Sequence, residues 1–278
     1  HTVNNIGVIG NLNDLSNNML NSLVSGKENK GGNSANTTML GYKNDTQSDM
    51  NVLVSGNSNK TTSNNASTVL GRSNVVTDCS DSLVMGEDNN VFTNGRVTIF
   101  GEKNDMSGNT INSMVEGRHN YLNSLINSVI FGENQDISGS LNLLAQGKSN
   151  TAVDANNTIL VGKENKLNDV DEVAIFGSEH DVSGGTLQSL VSGYKNKENN
   201  GNYNASFGTL NDINGSKAGV LIGKSNKDTN GNQSVIMGSL HQVTGSTNTM
   251  VQGLQNTVTS SNQSVAMGDN QNETNGTN

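Results

Sequence analysis

Eighteen glycines recur at a near-constant interval along this chain, and each of them ends a short apolar run. Fourteen of the seventeen intervals between them are 15 residues long, and the other three are 16. A fixed period over nearly the whole chain is typical of repeat proteins, in which each repeat packs on its neighbours in a row. We call these residues the anchor glycines and number the other positions of a repeat from them: Gly10, Gly26, Gly41, Gly56, Gly71, Gly86, Gly101, Gly117, Gly132, Gly147, Gly162, Gly177, Gly193, Gly208, Gly223, Gly238, Gly253 and Gly268.

The residues just before each anchor glycine predict a short β-strand. Stretches such as Ser128-Val129-Ile130-Phe131 are four or five residues long and rich in β-branched side chains, which favour strands. Position −2 is apolar in every repeat except at Ser206, and positions −1 and −3 are mostly apolar too. A strand that is apolar on both faces is buried on both faces. The sequence leaves open which face lines the core of the repeat and which meets a neighbouring chain.

The residues after each anchor glycine predict a turn and a second, shorter strand. Position +3 is Asn in fourteen of the eighteen repeats, and position +5 is apolar in most of them. The Asn column is interpreted as structural, with stacked amides that satisfy buried polar groups of the turn. Two short strands and two turns in 15 residues make one coil of a two-sided β-solenoid. We therefore expect an all-β fold, a parallel β-roll of about eighteen coils. The four repeats without Asn carry Gln135, His180, His241 and Gln271.

The composition excludes several classes of function. Asp and Glu number 25 against 16 Lys and Arg, so the net charge of −9 creates no positive field that would attract a nucleic-acid backbone. No apolar run approaches the ~20 residues of a membrane-spanning helix. The single cysteine, Cys79, excludes an internal disulfide framework. Leu, Ile, Val and Phe make up only about 23% of the chain, which favours a thin, elongated core over a compact sphere.

The doubly apolar strand predicts that the chain associates with identical copies of itself. One apolar face can line the core of the coil, and the other would remain an exposed apolar row far larger than a monomer tolerates. Positions −3 and −1 also compensate in size: small Thr98 and Ala174 accompany large Phe100 and Phe176. Such compensation is typical of packing against a fixed volume.

The repeated motif Ser-Val-x-[Ile/Met/Phe]-Gly followed by x-x-Asn-x-Val-x-Gly resembles the heads of YadA-like trimeric autotransporter adhesins, over about residues 3–270. The resemblance implies a left-handed parallel β-roll, a homotrimer, display on the bacterial outer surface and attachment to host molecules. The Asn-rich, Pro-free composition is similar to that of fusobacterial members of the family that bind CEACAM receptors. We expect residues 1–278 to form a single β-roll head domain, with the family's stalk and membrane anchor absent. Coils of the family are usually about 14 residues long, so the 15-residue coils suggest slightly longer surface turns.

Two alternatives of other kinds remain open for the function. The same fold would suit a self-associating rod that joins cell to cell, or a module that binds collagen or fibronectin in the extracellular matrix. An enzyme is not expected, because no paired acid and base and no nucleophile–base pair appears at a useful spacing. The internal histidines His119, His180 and His241 are interpreted as replacements of turn residues; binding of an axial ion with symmetry mates is the alternative. No cofactor is predicted.

Candidate binding residues lie directly after the anchor glycines, at position +1. Side chains in one such column project side by side from successive coils, so Tyr42 and Arg72, two coils apart, lie roughly 10 Å from each other. Tyr and Arg are the residue types that most often anchor protein interfaces. With Lys27 and Lys43 nearby, Tyr42 and Arg72 are the predicted receptor-binding residues, and the predicted partner is a host cell-surface protein.

Overall fold

A computed structural model of the chain describes most of its residues. Gln271 of the Asn column lies outside the described residues. The described residues are 5–93, 95–108, 112–124, 126–139, 141–184, 186–199, 202–215, 217–230, 232–245, 247–259, 263, 265–269 and 272–274. Contacts divide the chain into two compact units, His1–Ile137 and Ser138–Asn278.

The first unit consists of alternating longer and shorter strands. The longer ones end on or just after an anchor glycine, as the apolar runs predict. In the described residues its strands are β1 (Gly7–Asn11), β2 (Asp14–Ser16), β3 (Leu23–Lys27), β4 (Lys30–Gly32), β5 (Thr38–Tyr42), β6 (Asp45–Gln47), β7 (Leu53–Asn57), β8 (Lys60–Thr62), β9 (Thr68–Arg72), β10 (Val75–Thr77), β11 (Leu83–Glu87), β12 (Asn90–Thr93), β13 (Val97–Glu102), β14 (Asp105–Gly108), β15 (Ser113–Arg118), β16 (Tyr121–Asn123), β17 (Val129–Glu133) and β18 (Asp136–Ile137).

The second unit follows the same alternation. Two of its longer strands, Val170–Ser178 and Thr186–Tyr194, extend to nine residues. They contain Gly177 and Gly193, the anchor glycines that bound a 16-residue interval. In the described residues its strands are β19 (Leu143–Lys148), β20 (Thr151–Ala152), β21 (Thr158–Lys163), β22 (Lys166–Leu167), β23 (Val170–Ser178), β24 (Asp181–Ser183), β25 (Thr186–Tyr194), β26 (Lys197–Asn199), β27 (Asn204–Thr209), β28 (Asp212–Asn214), β29 (Val220–Lys224), β30 (Lys227–Thr229), β31 (Val235–Ser239), β32 (Gln242–Thr244), β33 (Met250–Leu254), β34 (Thr257–Thr259), β35 (Val265–Met267) and β36 (Asn272–Thr274).

Within each unit every strand pairs in parallel with the corresponding strand of the next repeat. In the first unit Gly26 of β3 pairs with Gly41 of β5, which pairs with Gly56 of β7. In the second unit Gly223 of β29 pairs with Gly238 of β31 in the same way. The described residues contain no helix. The predicted all-β parallel solenoid with coils of about 15 residues is therefore confirmed, with about 16 turns instead of eighteen.

The core is lined by positions −2 and +5. Val54 and Ile130 at position −2, and Val76 and Ile213 at position +5, have no exposed surface. Positions −1 and −3 face away from this core, and several of their large apolar side chains are 37–63% exposed: Leu23, Leu144, Ile159, Phe176, Leu190, Ile222, Val265 and Met267. The structure thus settles the question that the sequence leaves open, because position −2 fills the roll and positions −1 and −3 form its outer apolar face.

Several coils have one corner more than the pattern of two strands and two turns suggests. In the coil after Gly41, Lys43, Ser48 and Asn51 have φ angles of 55°, 57° and 56°. Between the last two corners, Met50 forms single-residue bridges to Ala35 and Asn65 of the neighbouring coils. The second turn is thus divided by a one-residue bridge, a feature too short to leave a periodic signal in the sequence.

Candidate binding surface on the post-glycine turns

The turn after each anchor glycine is held by a ladder of buried asparagines. The side-chain amide of Asn44 donates to the carbonyl oxygen of Gly56, 3.1 Å away, and to Oδ1 of Asn29, also 3.1 Å away. Its own Oδ1 accepts the backbone N–H of Asn59 at 3.2 Å. The same bonds recur in other coils of both units. The structural interpretation of the Asn column is confirmed.

The two histidines in this column replace asparagine as predicted. His180 donates its backbone N–H to Oδ1 of Asn165, and its ring Nδ1 accepts the backbone N–H of Asn196, both at 3.1 Å. His241 is buried as well, with ring Nε2 3.0 Å from the carbonyl oxygen of Met237. Burial lowers the pKa of both rings below the ordinary value of 6.5, so both are neutral at pH 7. His119, at position +2, is exposed on a left-handed corner.

The rest of the described chain offers few groups for chemistry. The thiol of Cys79 is buried, its Sγ is 3.3 Å from the carbonyl oxygen of Thr77, and burial raises its pKa. In the parts of the chain that the structure describes, no group of three His, Cys, Asp or Glu side chains is placed to hold a metal ion.

Three of the four predicted binding residues come together around the ring of Tyr42. The ammonium of Lys43 lies 4.9 Å from the ring centroid, and that of Lys27 lies 5.8 Å from it. Both distances are within the range of a cation–π interaction. Glu28 joins them, with carboxylate oxygens 3.3 Å from the Lys27 ammonium and 3.6 Å from that of Lys43. We call Lys27, Glu28, Tyr42 and Lys43 the Tyr42 cluster.

The Tyr42 cluster is charged at neutral pH. Desolvation raises the pKa of Glu28, but contacts with Lys27, Tyr42 and Lys43 outweigh it, and the net shift is downward. Contact with the Tyr42 side chain, followed by the attraction of Glu28, raises the pKa of Lys43. The lysine side chains are still about half exposed. The cluster therefore presents an aromatic ring flanked by two accessible ammonium groups, with one carboxylate that holds them in place.

Arg72 lies in the same column but engages a different partner. In the ladder of longer strands Tyr42 pairs with Asn57, and Asn57 pairs with Arg72, which confirms the predicted separation of two coils. The guanidinium of Arg72 forms an ion pair with Glu87 of the next coil, and 60% of the Arg72 side chain is exposed. Arg72 is thus available on the surface as a second point of contact two coils from the Tyr42 cluster.

Glu28 is the member of the cluster that the sequence reasoning missed. It sits at position +2, as Lys43 does in the next coil, so the two side chains neighbour each other along the stack. A comparison of position +2 between adjacent repeats would have found this opposite-charge pair. Beside the cluster a shallow groove of about 430 Å³ is lined by Leu12, Glu28, Lys30, Lys43, Asp45 and Ser58.

A similar arrangement occurs in the second unit. The ammonium of Lys195 lies 4.9 Å from the centroid of the Tyr194 ring and 3.1 Å from a carboxylate oxygen of Glu179.

Among the described residues no helix is long and apolar enough to cross a membrane. No protein-family model matches the chain, and no curated protein matches it. The outer apolar face and these turn clusters are therefore the features of the chain that bear on its function.

Proposed function

We propose that this chain is the head of a YadA-like trimeric surface adhesin that attaches bacteria to host cells. The observation that carries the proposal is the outer apolar face at positions −1 and −3. The core of the roll is already complete without it, yet Leu144, Phe176 and Ile222 remain 37–41% exposed. An apolar surface that repeats from coil to coil needs a cover, because soluble monomers rarely expose contiguous apolar patches of this size.

Copies of the same chain provide the simplest cover. When two copies of the roll lie side by side in parallel, their coils have equal spacing. The outer apolar residues of one copy then meet those of the next copy at every coil. In a closed assembly around one axis, each copy then covers part of the outer face of its neighbours. The number three follows from the resemblance to the YadA-like heads, as do the left-handed winding and the position on the outer surface of the bacterium.

The receptor contact is assigned to the outer turns. Because the grooves on the surface of a regular roll are shallow, a protein partner docks on the flank of the roll. The Tyr42 cluster supplies an aromatic ring and two ammonium groups, and Arg72 adds a guanidinium two coils away. A receptor with an apolar face and a carboxylate fits this surface, and the CEACAM type of receptor follows from the resemblance. Three copies of the site on one trimer would raise the overall affinity through avidity.

We expect Tyr42→Ala and Arg72→Ala each to reduce binding of the head to human epithelial cells by at least roughly 10-fold, because truncating an interface anchor typically costs about 2 kcal/mol or more. Tyr121→Ala is the matched control, since Tyr121 is 54% exposed at position +4, outside the +1 column. Binding would be measured by flow cytometry with labelled heads of unchanged melting temperature.

Wild-type binding by both variants would contradict the assignment of the site and move the test to Tyr194 and Arg118. Self-association of the wild-type head without cell binding would favour the self-associating rod. Binding to immobilised collagen or fibronectin, with none to cells, would favour the matrix-binding module.

A further inference from the structure

The coil after Gly193 carries a glutamate in the column that lines the core. Glu198 lies at position +5 on β26, where it pairs in register with Val182 of β24 and with Ile213 of β28. Both neighbours are fully buried, and Glu198 itself has no exposed surface. A side chain that usually carries a charge thus occupies a place that the adjacent coils fill with aliphatic groups.

The polar groups around Glu198 leave its carboxyl unsatisfied. Ser189 and Asn204 pair in register on β25 and β27, and both are buried, as is Ser206. Among the described residues, neither carboxyl oxygen of Glu198 has a hydrogen-bond partner, and the same holds for Oγ of Ser189, Oγ of Ser206 and Nδ2 of Asn204. Burying an ionised carboxylate without partners is far more costly than burying the neutral acid.

The charged groups on the surrounding strands give the carboxyl no counter-charge. Asp181 of β24 and Lys197 of β26 itself are exposed, and Asp212 of β28 is half-buried; all three alternate with the buried column and so project outward. On β25 the titratable side chain is Tyr194, which is 40% exposed at position +1. The sequence of β27, Asn-Ala-Ser-Phe-Gly-Thr, contains no titratable residue.

We propose that Glu198 is held in the core as the neutral acid and makes the surrounding part of the second unit sensitive to pH. Loss of its proton places a negative charge among Val182, Ile213 and the unpartnered hydroxyls. The coil then opens to hydrate the carboxylate. The inference does not depend on the proposed adhesive function.

The direction of the effect follows from linkage between protonation and folding. Burial raises the pKa of Glu198 from an ordinary value of 4.5 to about 7, and the neighbouring Ser189 side chain acts in the opposite direction. Between these two values the folded chain holds a proton that the unfolded chain has released. The contribution of Glu198 to stability is therefore fully present below about pH 4.5, falls as the pH rises towards 7, and is lost above it. Burial lowers the pKa of the nearby His180 ring, which disfavours a compensating positive charge there.

The test compares melting temperatures of the wild-type chain and Glu198→Gln between pH 5 and pH 8. Glutamine has nearly the same shape but does not titrate, so the wild-type melting temperature should fall by at least roughly 5 °C more than that of the variant over this range. Asp181→Asn, a change of an exposed carboxylate on the adjacent strand, is the control and should follow the wild type. A Glu198→Gln profile parallel to that of the wild type would overturn the proposal.

A second measurement covers the case in which Glu198→Gln does not fold. Amide hydrogen exchange of the wild-type chain, corrected for the intrinsic effect of pH, should become faster at residues 197–199 and 204–209 between pH 5 and pH 8. Residues 83–87 of the first unit serve as the internal reference and should keep their protection. Protection at residues 197–199 and 204–209 that stays the same between pH 5 and pH 8 would contradict the proposal.

Discussion

Replacing Ile130 with aspartate should abolish cooperative folding of the first unit. Ile130 lies at position −2 of β17, has no exposed surface and pairs in register with Val115, which is equally buried. A carboxylate there would lose its hydration without gaining a partner. We expect a loss of stability on the order of 5 kcal/mol per chain, a size reserved for buried unpaired charges and large cavities. Circular dichroism and thermal melting would measure it.

The control places a new carboxylate on the surface. Lys148→Asp changes an exposed residue at position +1, where substitutions usually alter stability by only ~0.5 kcal/mol. Its melting curve should overlay that of the wild type. Equal melting temperatures for Ile130→Asp and Lys148→Asp would show that position −2 does not line the core.

Replacing an anchor glycine with alanine should have an effect of similar size. A Cβ atom built on Gly86 would lie 1.8 Å from the carbonyl oxygen of Gly101, a distance no real contact reaches, and the φ angle of Gly86 is +134°. Residues other than glycine rarely adopt this backbone conformation. Since the clash is with backbone of the next coil, it can be relieved only by separating the two coils. We expect Gly86→Ala to cost at least about 3 kcal/mol in the free energy of unfolding.

Gly31→Ala is the control for this substitution. Gly31 is also in a strand, but a Cβ atom there would meet the flexible side-chain ends of Met39, Leu15 and Met19, at 2.9–3.1 Å. These ends can move, so Gly31→Ala should change the free energy of unfolding by no more than about 1 kcal/mol. Chemical denaturation of both variants would measure the difference. Gly86→Ala as stable as Gly31→Ala would refute the steric reason for the period.

The sequence is sufficient for the architecture because the same physical constraint returns in every coil. The close approach of the anchor glycines and the burial of positions −2 and +5 impose a period that chance does not produce. The sequence could not identify the outer face, because Val129 and Ile130 are both aliphatic and differ only in the direction in which the strand points them. The third corner was missed because φ angles near 55° are adopted there by Asn, Asp, Ala, Tyr and Gln alike.

The candidate site was predictable as a column but not as a set of contacts. Position +1 placed Lys27 and Tyr42 on neighbouring coils, and the structure agrees. Whether Arg72 joins Tyr42 or pairs with Glu87 depends on side-chain reach between coils, which spacing alone does not determine. Glu198 could have been found from the sequence, because it is a charged residue in a column that is otherwise mostly apolar.

The central claim, that the outer apolar face is buried between three parallel copies, is tested most directly by sedimentation equilibrium at micromolar concentration. The wild-type chain should sediment as a discrete trimer. Val129→Asp should sediment as a folded monomer, because Val129 lies on the outer face at position −3 and is only half-buried in the single chain, so that a carboxylate there can remain hydrated. A wild-type chain that sediments as a stable monomer would contradict the claim.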